Sequence, residues 1–471
     1  MSAPKQWIRQ AWVIEGTITT EAPMIIGTGK QSEETDILIQ RDEEGSPFIP
    51  ATSLIGCLRE YWYSRYSKDN HPQEVNRLWG YSDRAEGMQS GITLWDLSIQ
   101  APSNDIVEVR DGIKIDSKTG IAESGKKYDY ETVRKGIAFD FHLEAMIWDG
   151  ENCDVIEGVL AELVEALKNG KIRVGAMGTK GFGKITLKNT KTRLYQFDKI
   201  EDVASWLSKA SLEAPGQLPQ RKLDFIKEES TLSLDQREFV IKAEFSLRTS
   251  LIIRSKDPDR DSETDMSPDG VHLRSGDKPI LPGTSLKGAI RARAERILNT
   301  LCENEEKAKK ALNNLMGYVS EENEKEKKKS RVHVDEQEIS KEMVLEMIHS
   351  RIKIDRFTGG ALGTALFNYR PLWPKDGKSR ITLTLRVKDC ATWEAGLMML
   401  VIKDLWTGDL PLGGEKSVGR GILKGVSAEL RYGDNEYKIE QNQDILIIDG
   451  KKEELEKWVH DLVSQMREVQ V

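Results

Sequence analysis

PFIPATSLIGCLR at residues 47–59 and PILPGTSLKGAIR at residues 279–291 are two versions of one sequence. Both follow the pattern P-x-[IL]-P-[AG]-T-S-L-x-G-x-[LI]-R, and Ser285 lies 232 residues after Ser53. Apolar residues recur at helical spacing after each Thr-Ser pair, and the threonine or serine can cap the first turn. The two stretches therefore predict helices at residues 52–66 and 284–298.

Two further motif pairs follow in the same order. GIKIDSKTG at residues 112–120 corresponds to RIKIDRFTG at residues 351–359, with an offset of 239 residues. TKGFGKITL at residues 179–187 corresponds to SVGRGILKG at residues 417–425, with an offset of 238 residues. Three motif pairs at nearly constant offset predict a tandem duplication.

The duplication predicts a first domain at residues 1–211 and a second domain at residues 237–471. The linker is predicted at residues 212–236, which are rich in proline, glycine and charge. Strands with alternating apolar residues and amphipathic helices succeed each other in both halves, without a long parallel array. We therefore predict an α+β protein with two ferredoxin-like domains of the RNA-recognition type and loop insertions.

The composition is that of a cytoplasmic globular protein. Of the 471 residues, 38% are hydrophobic and 31% are charged, and no stretch approaches the roughly 18 apolar residues of a membrane helix. The sequence MSAPKQWIRQAWVIEG lacks the apolar core of a signal peptide. The four cysteines are far apart, which argues against a zinc site or a disulfide framework. They are Cys57, Cys153, Cys302 and Cys390.

The net charge of −8 does not by itself favour nucleic-acid binding. Acidic residues concentrate in residues 304–327 and near the C-terminus, where solvated helices can hold them away from a basic groove. The charge therefore leaves RNA binding open.

The repeated helix start is a candidate phosphate site. Its N-terminus offers main-chain N–H groups, a positive dipole end and the hydroxyls of Ser53 and Ser285. Arg59 and Arg291 lie further along the same helices. The alternative is an ordinary capped helix whose arginine serves packing.

A glycine-rich loop precedes the last strand of each repeat, at residues 174–185 and 412–423. Glycines permit positive φ and close approach of main chain to a phosphodiester. A helix precedes each loop and a strand follows it, which excludes the dinucleotide-binding reading. The basic residues beside the glycines are Lys180, Lys184, Lys416 and Arg420.

An acidic loop lies upstream of each repeated helix. Asp36 precedes Arg41 by five positions, and Asp269 precedes Arg274 by five. Asp265 competes with Asp269, because SEETD and DSETD are also alike. Such carboxylates can hold a divalent cation or orient an attacking hydroxyl. The alternative is that these aspartates only form turns.

The six histidines follow no metal-ligand spacing and suggest no Ser-His-Asp arrangement. Only His272 lies near a motif, in the second acidic loop. We interpret it as a solvated loop histidine.

Taken together, these motifs resemble the RAMP superfamily of CRISPR proteins, and within it the Cas7 group of type III effectors. The resemblance includes an LxG box, RLWG at residues 77–80 and NLMG at residues 314–317, and the stretch at residues 109–133. It covers nearly the whole chain twice, as in the tandem Cas7 subunit of type III-D variant complexes.

The resemblance implies a backbone subunit that binds CRISPR RNA and cleaves the paired target RNA at two sites. It implies that Asp36 and Asp269 are catalytic, with Asp265 as the second candidate in the longer loop. It further implies a divalent ion, magnesium or manganese, although the sequence does not identify ligands beyond these aspartates. The ribose 2′-hydroxyl would attack the neighbouring phosphate and leave a cyclic phosphate.

The resemblance also implies partners and RNA contacts. The partners are CRISPR RNA, target RNA, and Cas10-like, other Cas7-like and Cas5-like subunits, with no membrane. The first helix departs from the family pattern, with Ala51 and Ile55 where glycine and lysine are usual. The implied RNA-binding residues are Ser53, Arg59, Lys180, Lys184, Ser285, Lys287, Arg291, Lys416 and Arg420.

Two alternatives stay open. The chain could be a non-catalytic guide-binding subunit of the same complex, whose aspartates only shape a loop. A guide-processing enzyme of the Cas6 type would need a histidine base near the first helix, and none precedes His71.

Overall fold

A computed structural model gives the architecture of the chain. Most of the predicted linker, residues 212–236, and Asp265 lie outside the described residues. The structure describes residues 7–32, 35–66, 73–82, 87–101, 105–209, 218, 237–255, 268–320, 323, 326–375, 379–443 and 445–467.

The chain forms two compact units. Two short segments of the first repeat belong to the second unit, a detail that the sequence did not predict. The first unit comprises Met1–Val109, Asp129–Gly178 and Phe182–Ser233, and the second comprises Arg110–Tyr128, Thr179–Gly181 and Leu234–Val471.

The first repeat alternates strands and helices. Its elements are β1 (Ile8–Thr20), α1 (Ala51–Arg65), α2 (Gln73–Trp79), β2 (Tyr81–Ser82), β3 (Gly87–Met88), β4 (Ile92–Leu94), β5 (Val107–Ile115), β6 (Ala122–Val133), β7 (Ala138–Trp148), α3 (Cys153–Lys168), β8 (Ile185–Gln196) and α4 (Ile200–Leu207).

The first unit is built on an antiparallel sheet with the order β4, β7, β1, β8. Strand β1 pairs with β7 from Ile8 opposite Trp148 to Thr19 opposite Ala138. Every second residue of β7 is buried, as the two-residue period of a strand requires. Helix α3 packs against β8 and is buried along most of its length. This sheet therefore supplies the core on which the loops are mounted.

The second repeat has the same order with additions. Its elements are β9 (Phe239–Leu247), β10 (Arg254–Ser255), β11 (Gly270–His272), β12 (Arg274–Ser275), β13 (Lys278–Leu281), α5 (Gly283–Leu301), α6 (Glu305–Met316), β14 (Tyr318–Val319), β15 (Lys327–Lys328), β16 (Val332–Val334), β17 (Gln337–Glu338), β18 (Val344–Glu346), β19 (His349–Ile354), β20 (Ala361–Arg370), β21 (Leu372–Pro374), β22 (Ile381–Val387), α7 (Thr392–Thr407), β23 (Leu423–Tyr432), β24 (Asn435–Asn442), β25 (Ile445–Asp449) and α8 (Lys452–Arg467).

The main sheet of the second unit has the order β16, β22, β9, β23, β24, β25. Alternate residues of the central strand β9 face a core that α5 and α7 cover. Burying each large apolar side chain there stabilises the fold by about 1.5–3 kcal/mol. The β9 residues in this core are Phe239, Ile241, Ala243, Phe245 and Leu247, and those of α5 are Leu286, Ile290, Ala294 and Leu298.

The predicted α+β class is confirmed, and both motif helices form. Helix α1 begins at Ala51 and helix α5 at Gly283, one residue before the predicted starts. No helix in the described part of the chain is long and apolar enough to cross a membrane.

Gly183 and Gly421 close the two glycine-rich loops in the same way. Their φ angles are +73° and +79°. A Cβ would lie 2.0 Å from the Val174 carbonyl oxygen at the first position and 1.8 Å from the Leu412 carbonyl oxygen at the second. These positions therefore require glycine for space as well as for conformation.

We expect Gly421→Ala to lower the free energy of unfolding by roughly 3 kcal/mol or more, because strain and overlap with main chain add. Gly419→Ala is the matched control, since Gly419 has φ +82° but open space around its Cβ direction. The control should cost roughly 1 kcal/mol. Urea denaturation measures both variants, and equal losses would contradict the packing argument.

Candidate functional site

Asp36 is exposed and held by main chain on both sides. Its N–H donates to the Asp129 carbonyl at 3.1 Å. The Asp129 N–H donates to Asp36 Oδ2 at 2.8 Å. Asp129 belongs to β6, so the acidic loop is fixed to a strand and the side chain of Asp36 has a defined direction.

Asp269 has the same arrangement in the second unit. Its N–H donates to the Asn368 carbonyl at 2.7 Å. The Asn368 N–H donates to Asp269 Oδ2 at 2.8 Å, and Asn368 belongs to β20. Asp269 is also exposed. The hydrogen bonds of Asp269 therefore match those of Asp36, whereas Asp265, the other candidate, lies outside the described residues.

The arginines of the two acidic loops hold those loops in different ways. Arg41 pairs with Glu131 at 3.0 Å, and Glu131 also accepts the Ile39 N–H at 3.1 Å. Arg274 pairs with Glu346 on β18. Both arginines are engaged by carboxylates of their own unit, so their first role is to fix the loop.

The repeated helices start without a side-chain cap. Pro50 and Pro282 occupy the N-cap positions, so the predicted threonine or serine cap is wrong. The motif prolines place the hydroxyl residues inside the first turn instead. In the first unit, Asp96 Oδ1 accepts the Ala51 N–H at 2.7 Å. Ser53 and Ser285 are half-buried there, and their predicted RNA contacts stay predictions.

Arg59 and Arg291 explain the LxG box. Arg291 donates to the Gly317 carbonyl at 2.9 Å and to Asn313 Oδ1 at 2.9 Å. Arg59 donates to the Gly80 carbonyl at 3.5 Å. Each arginine thus ties its helix to the glycine that ends the box. This is the packing role that the sequence offered as the alternative to RNA contact.

Three cations of the second unit, Lys180, Lys287 and Arg291, lie close together. Within the described residues, no carboxylate is hydrogen-bonded to Lys287. Lys287 is buried, and its Nζ donates to the carbonyls of Val332 at 2.9 Å and Thr179 at 3.3 Å. Burial, followed by the charges of Lys180 and Arg291, lowers the pKa of Lys287 to about 7. Burial also lowers the pKa of Lys180. A phosphate beside this cluster would offset the repulsion.

Residues 179–181 pack against the start of helix α5, where Gly283 and Lys287 contact them. A Cβ on Gly283 would lie 2.1 Å from the Lys180 carbonyl oxygen, so only glycine admits this segment. Lys287 bonds the Thr179 carbonyl of the same segment. The first repeat carries Ala51 and Ile55 at the corresponding positions.

The basic residues of the glycine-rich loops differ in exposure. Lys416 is exposed and Lys184 is partly exposed. Arg420 is only 3% exposed, and it donates to Glu415, Ser250 and His349. Its predicted RNA contact therefore conflicts with its burial, and the guanidinium supports the loop from inside.

His272 is a buried residue that hydrogen-bonds to main chain. His272 Nε2–H donates to the Ile280 carbonyl at 2.9 Å, and His272 Nδ1 accepts the Ile253 N–H at 3.3 Å. Burial lowers the pKa of His272 to about 4, so the predicted solvated histidine is wrong.

Asp116 and Asp355 accept main-chain N–H groups of the turns in which they lie. These aspartates shape the turn.

The sequence did not indicate several residues of these sites. Asp129 and Asn368 act through main chain, which leaves no side-chain signature. Glu415 was detectable in principle, because it is an acidic residue inside a glycine-rich loop. In the described ranges, no group of three or more His, Cys, Asp or Glu side chains is placed to hold a metal ion.

The shifted pKa of Lys287 predicts the pH dependence of stability. Above pH 7 the unfolded chain, where a lysine titrates near pH ~10.4, binds more protons at this position than the folded chain. The free energy of unfolding should therefore rise with pH from pH 7 towards pH ~10, by at most about 1.4 kcal/mol per pH unit. Lys287→Met should flatten this rise in denaturation profiles, whereas the exposed control Lys424→Met should not. Parallel profiles for wild type and Lys287→Met would refute the buried charge.

Two regions of the chain, residues 17–186 and 244–424, match the family model of the RAMP superfamily. Each region lies in one repeat, and together they cover about three quarters of the sequence. A search of the curated proteins gave no match. The predicted ferredoxin-like fold class agrees with this match. The chain therefore belongs to the RAMP superfamily of CRISPR-associated RNA-binding proteins.

Proposed function

We propose that the chain is a tandem Cas7-like backbone subunit of a type III CRISPR effector, of the type III-D variant kind. In this proposal it binds CRISPR RNA and cleaves the paired target RNA at two sites, with Asp36 and Asp269 as catalytic residues. The observation that carries the proposal is a matching pair of hydrogen bonds in each unit, one between main chains and one from a strand N–H to the carboxylate.

These bonds suit a catalytic carboxylate. One oxygen of each aspartate is bonded to main chain, which fixes the side chain, and the residue stays exposed to a ligand. The other oxygen is then available to accept the proton of a ribose 2′-hydroxyl. The 2′-oxygen forms a bond to the adjacent phosphorus, and the bond from phosphorus to the 5′-oxygen breaks. The products are a 2′,3′-cyclic phosphate and a 5′-hydroxyl that takes up a proton.

A divalent ion fits this site only together with RNA. Each site offers one exposed carboxylate, and the described residues contribute no three-ligand group. Magnesium is often held by one or two carboxylates, with water and substrate phosphate completing its shell. A bound magnesium or manganese ion would supply charge for the phosphate in the transition state. Asp36 and Asp269 are the residues that would contact it.

The guide strand has a separate candidate surface. The half-buried Lys180 and Arg291, which lie beside the buried Lys287, and the exposed Lys416 provide positive charge in a chain whose net charge is −8. Because acidic residues outnumber basic ones in this chain, we expect tight guide binding only with the Cas10-like, Cas5-like and other Cas7-like partners. In the non-catalytic alternative, the chain binds the guide through the same surface, and Asp36 and Asp269 take no part in cleavage.

The test uses the complex assembled on guide RNA with end-labelled target. Asp36→Asn should abolish one cut and Asp269→Asn another, each slowed by roughly 10²-fold or more. Asparagine preserves an oxygen that can accept the main-chain N–H, so assembly should be unchanged. Asp42→Asn in the first acidic loop and Asp277→Asn in the second unit are controls that should cut normally. Chelation of divalent ions should stop both cuts.

The pattern of cuts decides between the two functions. A double variant that still cuts at both positions would show that the chain is a scaffold and that the nuclease lies elsewhere. Persistence of the second cut in Asp269→Asn, with the first cut also intact, would transfer that role to Asp265.

A further inference from the structure

Glu415 is a buried carboxylate at a strained position of the second glycine-rich loop. Its φ of +56° lies in the left-handed region, where glycine is the usual residue. Its side chain is 6% exposed and accepts the Arg420 Nε–H at 2.7 Å. It also pairs with Arg351 of β19. Such strain persists only where the surroundings over-determine the conformation.

The two arginines bind Glu415 into a wider network. Arg420 donates from Nη1 to Ser250 Oγ at 2.6 Å and from Nη2 to His349 Nδ1 at 2.7 Å. The guanidinium of Arg351 lies 5.6 Å from the ring centre of Tyr369. Every nitrogen of the Arg420 guanidinium thus has an acceptor, so neither arginine can leave without exposing a buried charge.

The network extends to β19, the strand next to the one that holds Asp269. Arg351 is adjacent to Ser350, and Ser350 pairs with Asn368 across β19 and β20. The Asn368 main chain holds the Asp269 carboxylate. The ion pair of Glu415 with Arg351 therefore connects the glycine-rich loop to β19, and β19 pairs with the strand that positions the candidate catalytic aspartate.

Glu415 also organises the exposed part of its own loop. Its carbonyl accepts the Val418 N–H at 3.1 Å, and the Lys416 carbonyl accepts the Gly419 N–H at 3.1 Å. These bonds form a single turn whose first residue is the exposed Lys416. The side chain anchors this turn to β19 while the main chain shapes it.

The first repeat solves the same problem with apolar residues. Met177 stands at the corresponding position with φ +57°. Phe182 replaces Arg420; it is fully buried and lies edge-on to Tyr130 at 6.1 Å between ring centres. The ionic connection between loop and hairpin is therefore particular to the second repeat.

We propose that Glu415 is a positioning residue of the second site, which aligns Lys416 and, through Arg351, the strand that holds Asp269. This inference rests on the proposed function. Loss of its charge would loosen the loop and β20 together, and would affect the second cut while sparing the first.

The test is Glu415→Gln in the assembled complex, with both cuts quantified on the same target. We expect the Asp269-dependent cut to slow by about tenfold or more, because small misplacements of a catalytic group are costly. The Asp36-dependent cut serves as the internal control and should be unchanged. Glu453→Gln, an exposed carboxylate of α8, is the matched surface control. Equal slowing of both cuts by Glu415→Gln would indicate general unfolding and overturn the proposal.

Hydrogen exchange keeps the inference testable if the complex does not cut. The amides of Val418, Gly419 and Asn368 should exchange at least about tenfold faster in Glu415→Gln than in the wild type, since local opening sets their protection. Glu415→Met with Arg420→Phe copies the first repeat and should restore part of the protection. Unchanged exchange at all three amides in Glu415→Gln would refute the connection, whatever the outcome for cleavage.

Discussion

In each unit, two hydrogen bonds join the acidic loop to a neighbouring strand, β6 in the first unit and β20 in the second. The loop residue donates its N–H to a strand carbonyl, and the strand returns an N–H to the carboxylate of the same residue. A carboxylate on an untethered loop would sample many directions, with a cost in entropy for every bound geometry. Here the folded chain already fixes the direction of the carboxylate, and it does so with the same type of hydrogen bond in both units.

The duplicated helices depend on a second constraint, the packing of arginine against a glycine carbonyl. Arg59 and Arg291 reach Gly80 and Gly317, which have positive φ and leave their carbonyls accessible. This fixes α1 and α5 relative to the segment that follows each of them. The two repeats then diverge where the glycine-rich loop meets the hairpin, which is apolar around Phe182 and ionic around Arg420. The contacts that support the glycine-rich loops have therefore diverged between the repeats, whereas the hydrogen bonds that hold Asp36 and Asp269 match.

The sequence was sufficient for the architecture, because helices and strands leave periodic signals and a duplication repeats them. It predicted α1 and α5 to within a residue at their starts, and the α+β class. It was weaker for the site, because long-range pairing has no local signature. Burial of Arg420 depends on Ser250 and His349, which are far away in the chain, and no spacing rule distinguishes a buried from an exposed cation. The sequence left Asp265 and Asp269 as alternatives, since loop composition is similar at both, and the strand that pairs with Asp269 is a long-range contact that the sequence did not indicate.

The most direct measurement is a cryo-electron microscopy structure of the assembled complex with guide RNA and a 2′-deoxy target that resists cleavage. We expect the carboxylates of Asp36 and Asp269 each to lie within about 3 Å, or one water molecule, of the 2′ position of a target nucleotide. The two nucleotides should be separated along the target by one repeat of the protein. Carboxylates that face the guide strand or solvent, with no target ribose near either, would contradict it.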